Sequence, residues 1–413
     1  MGVRGLRESD LPEVANLHHR VTGESPWTPG LDAAYERWFS EVFFRDPRSA
    51  TTEGVEPLVH TDERGVIDGF LGVSARRMRM GSRSYLAALS SQFVVAPEAR
   101  SKLVAFQLLR SLLTGPQDLS IADGANEHSA RLWRALGGVS SHLYGTHWIR
   151  ALRPMSLGAA IGARRRRAVA LARPLASPVT RALDEVLLRV PGPHRPAAPA
   201  GIRAEPLTPE AFIEHAPRFC ERDALVPDHD VASLRWALSR ATDLGRGAPL
   251  ECSLVRAADG EPLGLYVATL PAGELATALH VAASERGQEP VVRYLVHRAF
   301  RRGSVSIGGR VHPPLMRALS TAFALFHARS THMLIQARRP ELIEAFDRGV
   351  ATFSHLDGEW CIRFLPSDDV DPRAERGGDR PWRGRALRDR PPRDVASPRP
   401  TERAVRVLQP RST

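Results

Sequence analysis

Between positions 93 and 138 the chain sets out residue types that can hold a phosphate-bearing ligand. An apolar run, Phe93-Val94-Val95, passes through Ala96-Pro97-Glu98-Ala99 into a basic turn, Arg100-Ser101-Lys102-Leu103-Val104-Ala105. A helix-period segment follows, with Phe106, Leu108, Leu109, Leu112 and Leu113 marking its apolar side. Leu119-Ser120-Ile121-Ala122 reads as a second strand. Asn126-Glu127-His128-Ser129 then opens a helix over 130–136 that stops at Gly137-Gly138. Strand, tight basic turn and helix N-terminus bring backbone N–H groups and the positive end of a helix to one point, which suits an anion.

This segment resembles the acyl-CoA-binding core of the GNAT acetyltransferase superfamily. That family carries V-x-P-x-x-R, a turn of the form Arg/Gln-x-x-Gly-x-Gly/Ala, and Asn-x-x-Ala-x-x-Leu-Tyr-x-x-Leu-Gly-Phe on the next helix. Val95, Pro97, Arg100 and Ala105 fall on the first two elements, and Asn126, Leu132, Leu136 and Gly137 on the third. Three positions depart: Leu103 stands at the first glycine of the turn, Trp133 at the tyrosine and Gly138 at the phenylalanine.

The resemblance implies an α+β fold, a mixed and mostly antiparallel central sheet flanked by helices. It implies acetyl-CoA, or another acyl-CoA, as cosubstrate, with no metal. Strand backbone at Val94 and Val95 would polarise the thioester carbonyl. Arg100, Ser101, Lys102, Leu103, Val104 and Ala105 would take the pyrophosphate. Asn126 would accompany the pantetheine arm, cap its helix, or do both. With no phenol at 133, Tyr144 is the next along the chain. It is expected on the strand after Gly138, either as general acid or as an aromatic core residue. The implied reaction is direct attack by an amine, of a small molecule or an amino sugar, on the thioester. The rival reading is a non-catalytic GNAT-like binding or scaffold protein, favoured by Leu103 and Trp133.

The pattern recurs. Ile202-Arg203, Thr208-Pro209-Glu210 and the helix with Phe212 and Ile213 repeat the opening at Val3-Arg4, Asp10-Leu11-Pro12-Glu13, Val14, Leu17 and Val21. Gly69-Phe70-Leu71-Gly72-Val73 matches Leu263-Gly264-Leu265-Tyr266-Val267. Val95-Ala96-Pro97-Glu98-Ala99-Arg100 aligns without gaps on Val281-Ala282-Ala283-Ser284-Glu285-Arg286. Matches in one order along the chain point to a duplication. The second turn, Arg286-Gly287-Gln288-Glu289-Pro290-Val291, brings an acid and a missing backbone donor to the phosphate position. This copy therefore reads as a degenerate scaffold or acceptor-site wall. Near its end, Leu356-Asp357-Gly358-Glu359-Trp360 reads as a turn into a last strand from Cys361.

The expected division is an N-terminal GNAT-like domain over 1–150, a basic, partly helical linker over 151–200, a degenerate GNAT-like domain over 201–365 and a disordered Arg/Pro-rich tail over 366–413. The net charge of +11 is not spread over these parts. Residues 1–149 and 204–365 each carry −1, residues 150–203 carry +9 and residues 366–413 carry +4. Near-neutral bodies argue against a nucleic-acid partner. The linker, with Arg164-Arg165-Arg166-Arg167 and a helical period on Leu183, Val186, Leu187 and Val190, leaves open a weak association of 151–190 with a membrane surface. Oligomeric state is not encoded. Three dispersed cysteines, no apolar run of membrane-spanning length and no secretory pattern lead to the expectation of a cytoplasmic bacterial protein.

Overall fold

Two long strands joined by a two-residue turn organise the first half of the chain. β-branched, aromatic and small apolar residues alternate through 67–80 and 83–95, and Gly81, at φ +60, supplies the left-handed conformation such a hairpin demands. The computed structural model describes residues 2–364 except 24–28, 51–53, 100–102, 166, 191, 193–194, 246 and 329–330. The segment 366–413, expected to be disordered, lies outside the described residues.

In chain order the strands are β1 (Gly2–Gly5), β2 (Leu58–Thr61), β3 (Ile67–Met80), β4 (Arg83–Val95), β5 (Leu119–Ala125), β6 (Val139–Ser140), β7 (Thr146–Ala151), β8 (Arg203–Pro206), β9 (Val226–Pro227), β10 (Leu250–Arg256), β11 (Pro262–Thr269), β12 (Leu275–Ala283), β13 (Ser306–Arg310), β14 (Leu325–Ala328) and β15 (His332–Ala337). Between them run α1 (Leu11–Thr22), α2 (Pro29–Phe39), α3 (Pro47–Ala50), α4 (Val104–Leu113), α5 (Glu127–Ala135), α6 (Pro154–Arg165), α7 (Arg167–Arg189), α8 (Pro209–Phe219), α9 (Val231–Leu244), α10 (Gln288–Arg301), α11 (Met316–Thr321) and α12 (Pro340–Asp347).

Two mixed, mostly antiparallel sheets result. The first has the order β1-β2-β3-β4-β5-β15-β6, with β9 beside β3, and the second β14-β7-β13-β12-β11-β10-β8. Each contains one parallel pair at the same place, β4 with β5 and β12 with β13. The tandem α+β architecture expected from the sequence is therefore present.

The sheets do not follow the expected division at 150 and 201. β7 leaves the first half and pairs with β13 and β14, Trp148 opposite Gly309 and Phe326. β15 returns the exchange, inserting between β5 and β6 with Ile335 opposite Ile121 and Val139. Each lobe is completed by a strand from the other. Local patterning carries no record of a pairing between such distant segments. One continuous apolar core consequently includes Phe70 and Leu89 from the first lobe with Leu265 and Leu279 from the second.

The connecting segment is an antiparallel hairpin of α6 and α7. Asp184 of α7, fully buried, accepts hydrogen bonds from Met155 N (2.9 Å), Ser156 N (3.0 Å) and Ser156 Oγ (2.6 Å), so it caps α6 from the neighbouring helix. The last strand expected from Cys361 does not form. Glu359–Ile362 makes a 3-10 turn instead, inside a segment whose Phe353, Leu356, Asp357, Cys361 and Ile362 are buried. Arg240 donates to the carbonyls of Cys361 (3.4 Å) and Arg363 (3.3 Å), and Arg76 to that of Asp357 (3.0 Å). These bonds take the backbone groups a strand would have offered to a sheet.

Candidate functional site

The chemistry-bearing segment folds into a wedge. β4 and β5 pair in parallel only from Ala87 opposite Leu119 to Ser90 opposite Ala122, although β4 continues to Val95 and β5 to Ala125. A bulge opens the gap: Gln92, at φ +49, is an extra residue in β4 where Phe70 and Gly72 of β3 face Val94 and Ser91. Beyond it, the edge of β4 that faces the wedge has no strand against it, which leaves main-chain donors able to meet a carbonyl oxygen. Val94 is buried and Val95 partly so.

At the end of β4 a 3-10 turn, Pro97–Ala99, precedes the basic loop. Arg100, Ser101 and Lys102 lie outside the described residues. Leu103 is the N-cap of α4 at φ +59, ψ +13, and Val104 and Ala105 form the first turn of the helix. The backbone thus takes the left-handed conformation at the position where the resemblance has glycine, and a leucine bears the cost, about 1–2 kcal/mol. The Leu103 side chain is 67% exposed and gains no compensating burial. Leu103→Gly is expected to stabilise the fold by about 1 kcal/mol, by relieving that strain, read as a higher urea midpoint. An unchanged or lower midpoint would show that the leucine bears no strain.

α5 closes the wedge from the β5 side. Asn126 caps it, accepting from Ser129 N at 2.9 Å. Trp133, 1% exposed, lies under Gly138, where an added Cβ would come within 3.0 Å of the indole. The two departures from the family pattern are thus one exchange of bulk: tryptophan fills the space a phenylalanine at 138 would occupy.

Tyr144 corrects the sequence reading. It sits in a turn between β6 and β7 rather than on a strand, fully buried, edge-on to Phe346. Its hydroxyl donates to Ala351 O (2.5 Å) and accepts from Ala351 N (2.9 Å). Burial pushes the phenol well above its ordinary range. Both hydrogen-bonding sites are spent on the main chain, so Tyr144 is a core tie and not an acid.

Across the mouth of the wedge runs the segment after α12, which no motif had marked. On the β5 rim, Glu359 N donates to Asp123 Oδ2 (3.2 Å), and the Glu359 carboxylate packs on Gly124, where a Cβ would approach Oε2 to 2.6 Å. Toward the β4 rim, Trp38 Nε1 donates to Ile362 O (3.1 Å) and Phe364 stacks on Tyr35 at 4.2 Å. Tyr35 in turn lies 3.1 Å from His18 Nδ1, and His18 Nε2 lies 2.8 Å from Gln92 Oε1. The acceptor on Gln92 requires the proton on Nε2, so the ring holds the bulge residue in place. Burial lowers His18 to about 4, which keeps it neutral.

Glu359 is the perturbed group of the wedge. It retains some solvent contact, yet protein surrounds its carboxyl; burial first, and the charge of Asp123 second, push it up to about 8. Asp123 is itself neutralised by Arg310 of β13, a guanidinium that also donates to Tyr144 O and lies 5.5 Å from the Phe353 ring. A carboxyl raised from 4.5 to about 8 holds its proton in the folded state. Its contribution to stability is complete below pH 4.5 and is lost as pH rises through 8. Melting temperature is expected to decline between about pH 5 and 8 in the native chain and to decline less in Glu359→Gln.

The second lobe repeats the frame without the loop. Its parallel pairing aligns Leu275 with Ala87 and hence Ala283 with Val95, two residues away from the gapless sequence match. The 3-10 turn Glu285–Gly287 runs straight into α10, so nothing corresponds to residues 100–103. Gly287 leaves no room for a side chain, a Cβ there lying 2.0 Å from Leu263 O. The wedge between β12 and β13 narrows to a cavity of about 30 Å³ lined by Trp148, His280, Val292, Arg310 and Leu315, space for one or two waters. No group of three or more metal-ligating side chains occurs among the described residues.

No protein-family model and no curated protein matches the sequence. Among solved structures, the chain is similar to a conserved protein of unknown function from Enterococcus faecalis, described as a probable N-acyltransferase. The two share 10% identity over 81% of this chain and 72% of that one, with a TM-score of 0.51. A GCN5-related N-acetyltransferase from Anabaena variabilis matches with 13% identity over 82% of this chain and 73% of that one, TM-score 0.49. Eis1 from Mycobacterium abscessus matches with 14% identity over 84% and 76%, TM-score 0.45. At such identities the likeness is one of fold.

Proposed function

We infer from the tandem GNAT fold and the first-lobe wedge that this protein transfers an acyl group, acetyl in the simplest case, from coenzyme A to an amine of a small molecule or amino sugar. The observation that carries the reading is the asymmetry between two lobes of one plan. Both splay their parallel strands beyond a bulge, but only the first sets a basic segment between its 3-10 turn and its helix. In the other the 3-10 turn runs straight into the helix, with no such segment between them.

In this reading the pyrophosphate meets Arg100, Ser101, Lys102 and the amides around Leu103–Ala105, and pantetheine lies along β4 at Val94 and Val95. The thioester carbonyl takes a main-chain donor beyond Gln92. The amine forms the C–N bond as the C–S bond breaks. Glu359, protonated at neutral pH, gives its proton to the departing thiolate and regains, through solvent, the one that the attacking nitrogen sheds as the amide forms. Glu359 thus takes the part that neither Trp133 nor Tyr144 can play. Incubation with acetyl-CoA and a mixed panel of primary amines and amino sugars, read by mass spectrometry, tests the proposal. Acetylated product with free coenzyme A supports it; coenzyme A release without product, or no turnover on any amine, contradicts it.

A further inference from the structure

The helical hairpin between the lobes has an unpartnered side. α7 is 23 residues long; it buries Asp184 against the start of α6, and Leu188, one turn further on, is buried too. On its opposite face Val179, Leu183 and Val186 are 60%, 50% and 59% exposed. Their spacing of four and three residues places them in one line along the helix, half a turn away from the buried pair. A helix that only braced the two lobes would carry polar residues on this face.

Charge identifies what the stripe meets. Residues 150–203 hold eleven arginines and two acids, whereas the segments on either side, 1–149 and 204–365, each carry −1. Four of those arginines follow one another in the sequence, Arg164-Arg165-Arg166-Arg167. Arg189 is exposed on α7 itself, whereas Arg181 turns toward Gly273 of the body. Three apolar side chains fall far short of the roughly 20–30 residues per side of a stable protein interface. They suit shallow insertion into a lipid headgroup layer, with arginines drawn to anionic phosphates. No described helix is long and apolar enough to cross a membrane.

We propose that the α6–α7 hairpin docks the protein on anionic membrane surfaces, the Val179–Leu183–Val186 stripe entering the interface. Docking is reversible and salt-sensitive, and it places the enzyme beside its membrane without anchoring it.

The test is co-sedimentation of the full chain with vesicles of phosphatidylglycerol and phosphatidylcholine, against vesicles of phosphatidylcholine alone. Binding to the anionic vesicles only is expected, weakening with added salt. In Val179→Ser/Leu183→Ser/Val186→Ser it is expected to fall at least tenfold. The melting temperature should not change, since these side chains are exposed and the charge, tail included, is untouched. Absence of binding to anionic vesicles, or equal binding by the triple variant, would overturn the proposal. So would light scattering that shows a dimer in the native chain and a monomer in the variant, because a second copy would then be the occupant.

Discussion

If Glu359 is the proton donor of the proposed transfer, Glu359→Gln is expected to lower kcat by about 10²–10³ while leaving the KM for acetyl-CoA within a few-fold of its native value. Removal of a positioned proton donor typically costs this much, and glutamine keeps the shape that packs against Gly124. In the native chain kcat is expected to fall as pH rises past about 8, where the carboxyl loses its proton. That falling limb is absent from the residual activity of the variant. A merely structural glutamate would alter stability and leave the shape of the pH profile intact. Steady-state kinetics across pH 6–10 on the amine identified by mass spectrometry distinguishes the two, and a kcat within threefold of native removes Glu359 from the reaction.

Arg310→Met has the largest expected effect on stability. Arg310 and Asp123 are almost wholly buried, and their pairing joins the second sheet to the first at the rim of the wedge. Methionine preserves much of the volume but strands the Asp123 carboxylate without a counter-charge, which costs about 3–5 kcal/mol. Asp123→Asn in the same chain should recover much of the loss, because the uncompensated charge has gone. Urea midpoints of the two single variants and the double variant measure this coupling. Additive losses would show that the pair does not act as a unit. Asp123→Asn alone should also bring Glu359 down from about 8, since part of that rise comes from the neighbouring negative charge.

How far the sequence reveals this molecule depends on the distance between interacting segments. The wedge is legible because β4, α4, β5 and α5 follow one another within residues 83–135, each with its own periodicity, cap or glycine stop. Asn126 caps α5, as its residue type suggested. The strand exchange is illegible: Thr146–Ala151 reads as an ordinary strand wherever it pairs. The second turn misled by two residues, because Val-Ala at 95–96 and 281–282 matched by letter while the bulges and pairings set another register. Glu359 looked like a turn residue because its raised pKa depends on burial and on Asp123, 236 positions away. Tyr144 was drawn toward catalysis by sequence proximity to the motif, and only the contact with Ala351 shows its place in the core.

The most direct test of the central claim, that the first lobe alone grips coenzyme A through its basic loop, is calorimetric titration with desulfo-coenzyme A. The native chain should bind one equivalent at micromolar affinity, and Arg100→Glu should abolish the signal. A silent titration of the native chain, two equivalents per chain, or undiminished binding by Arg100→Glu would contradict it.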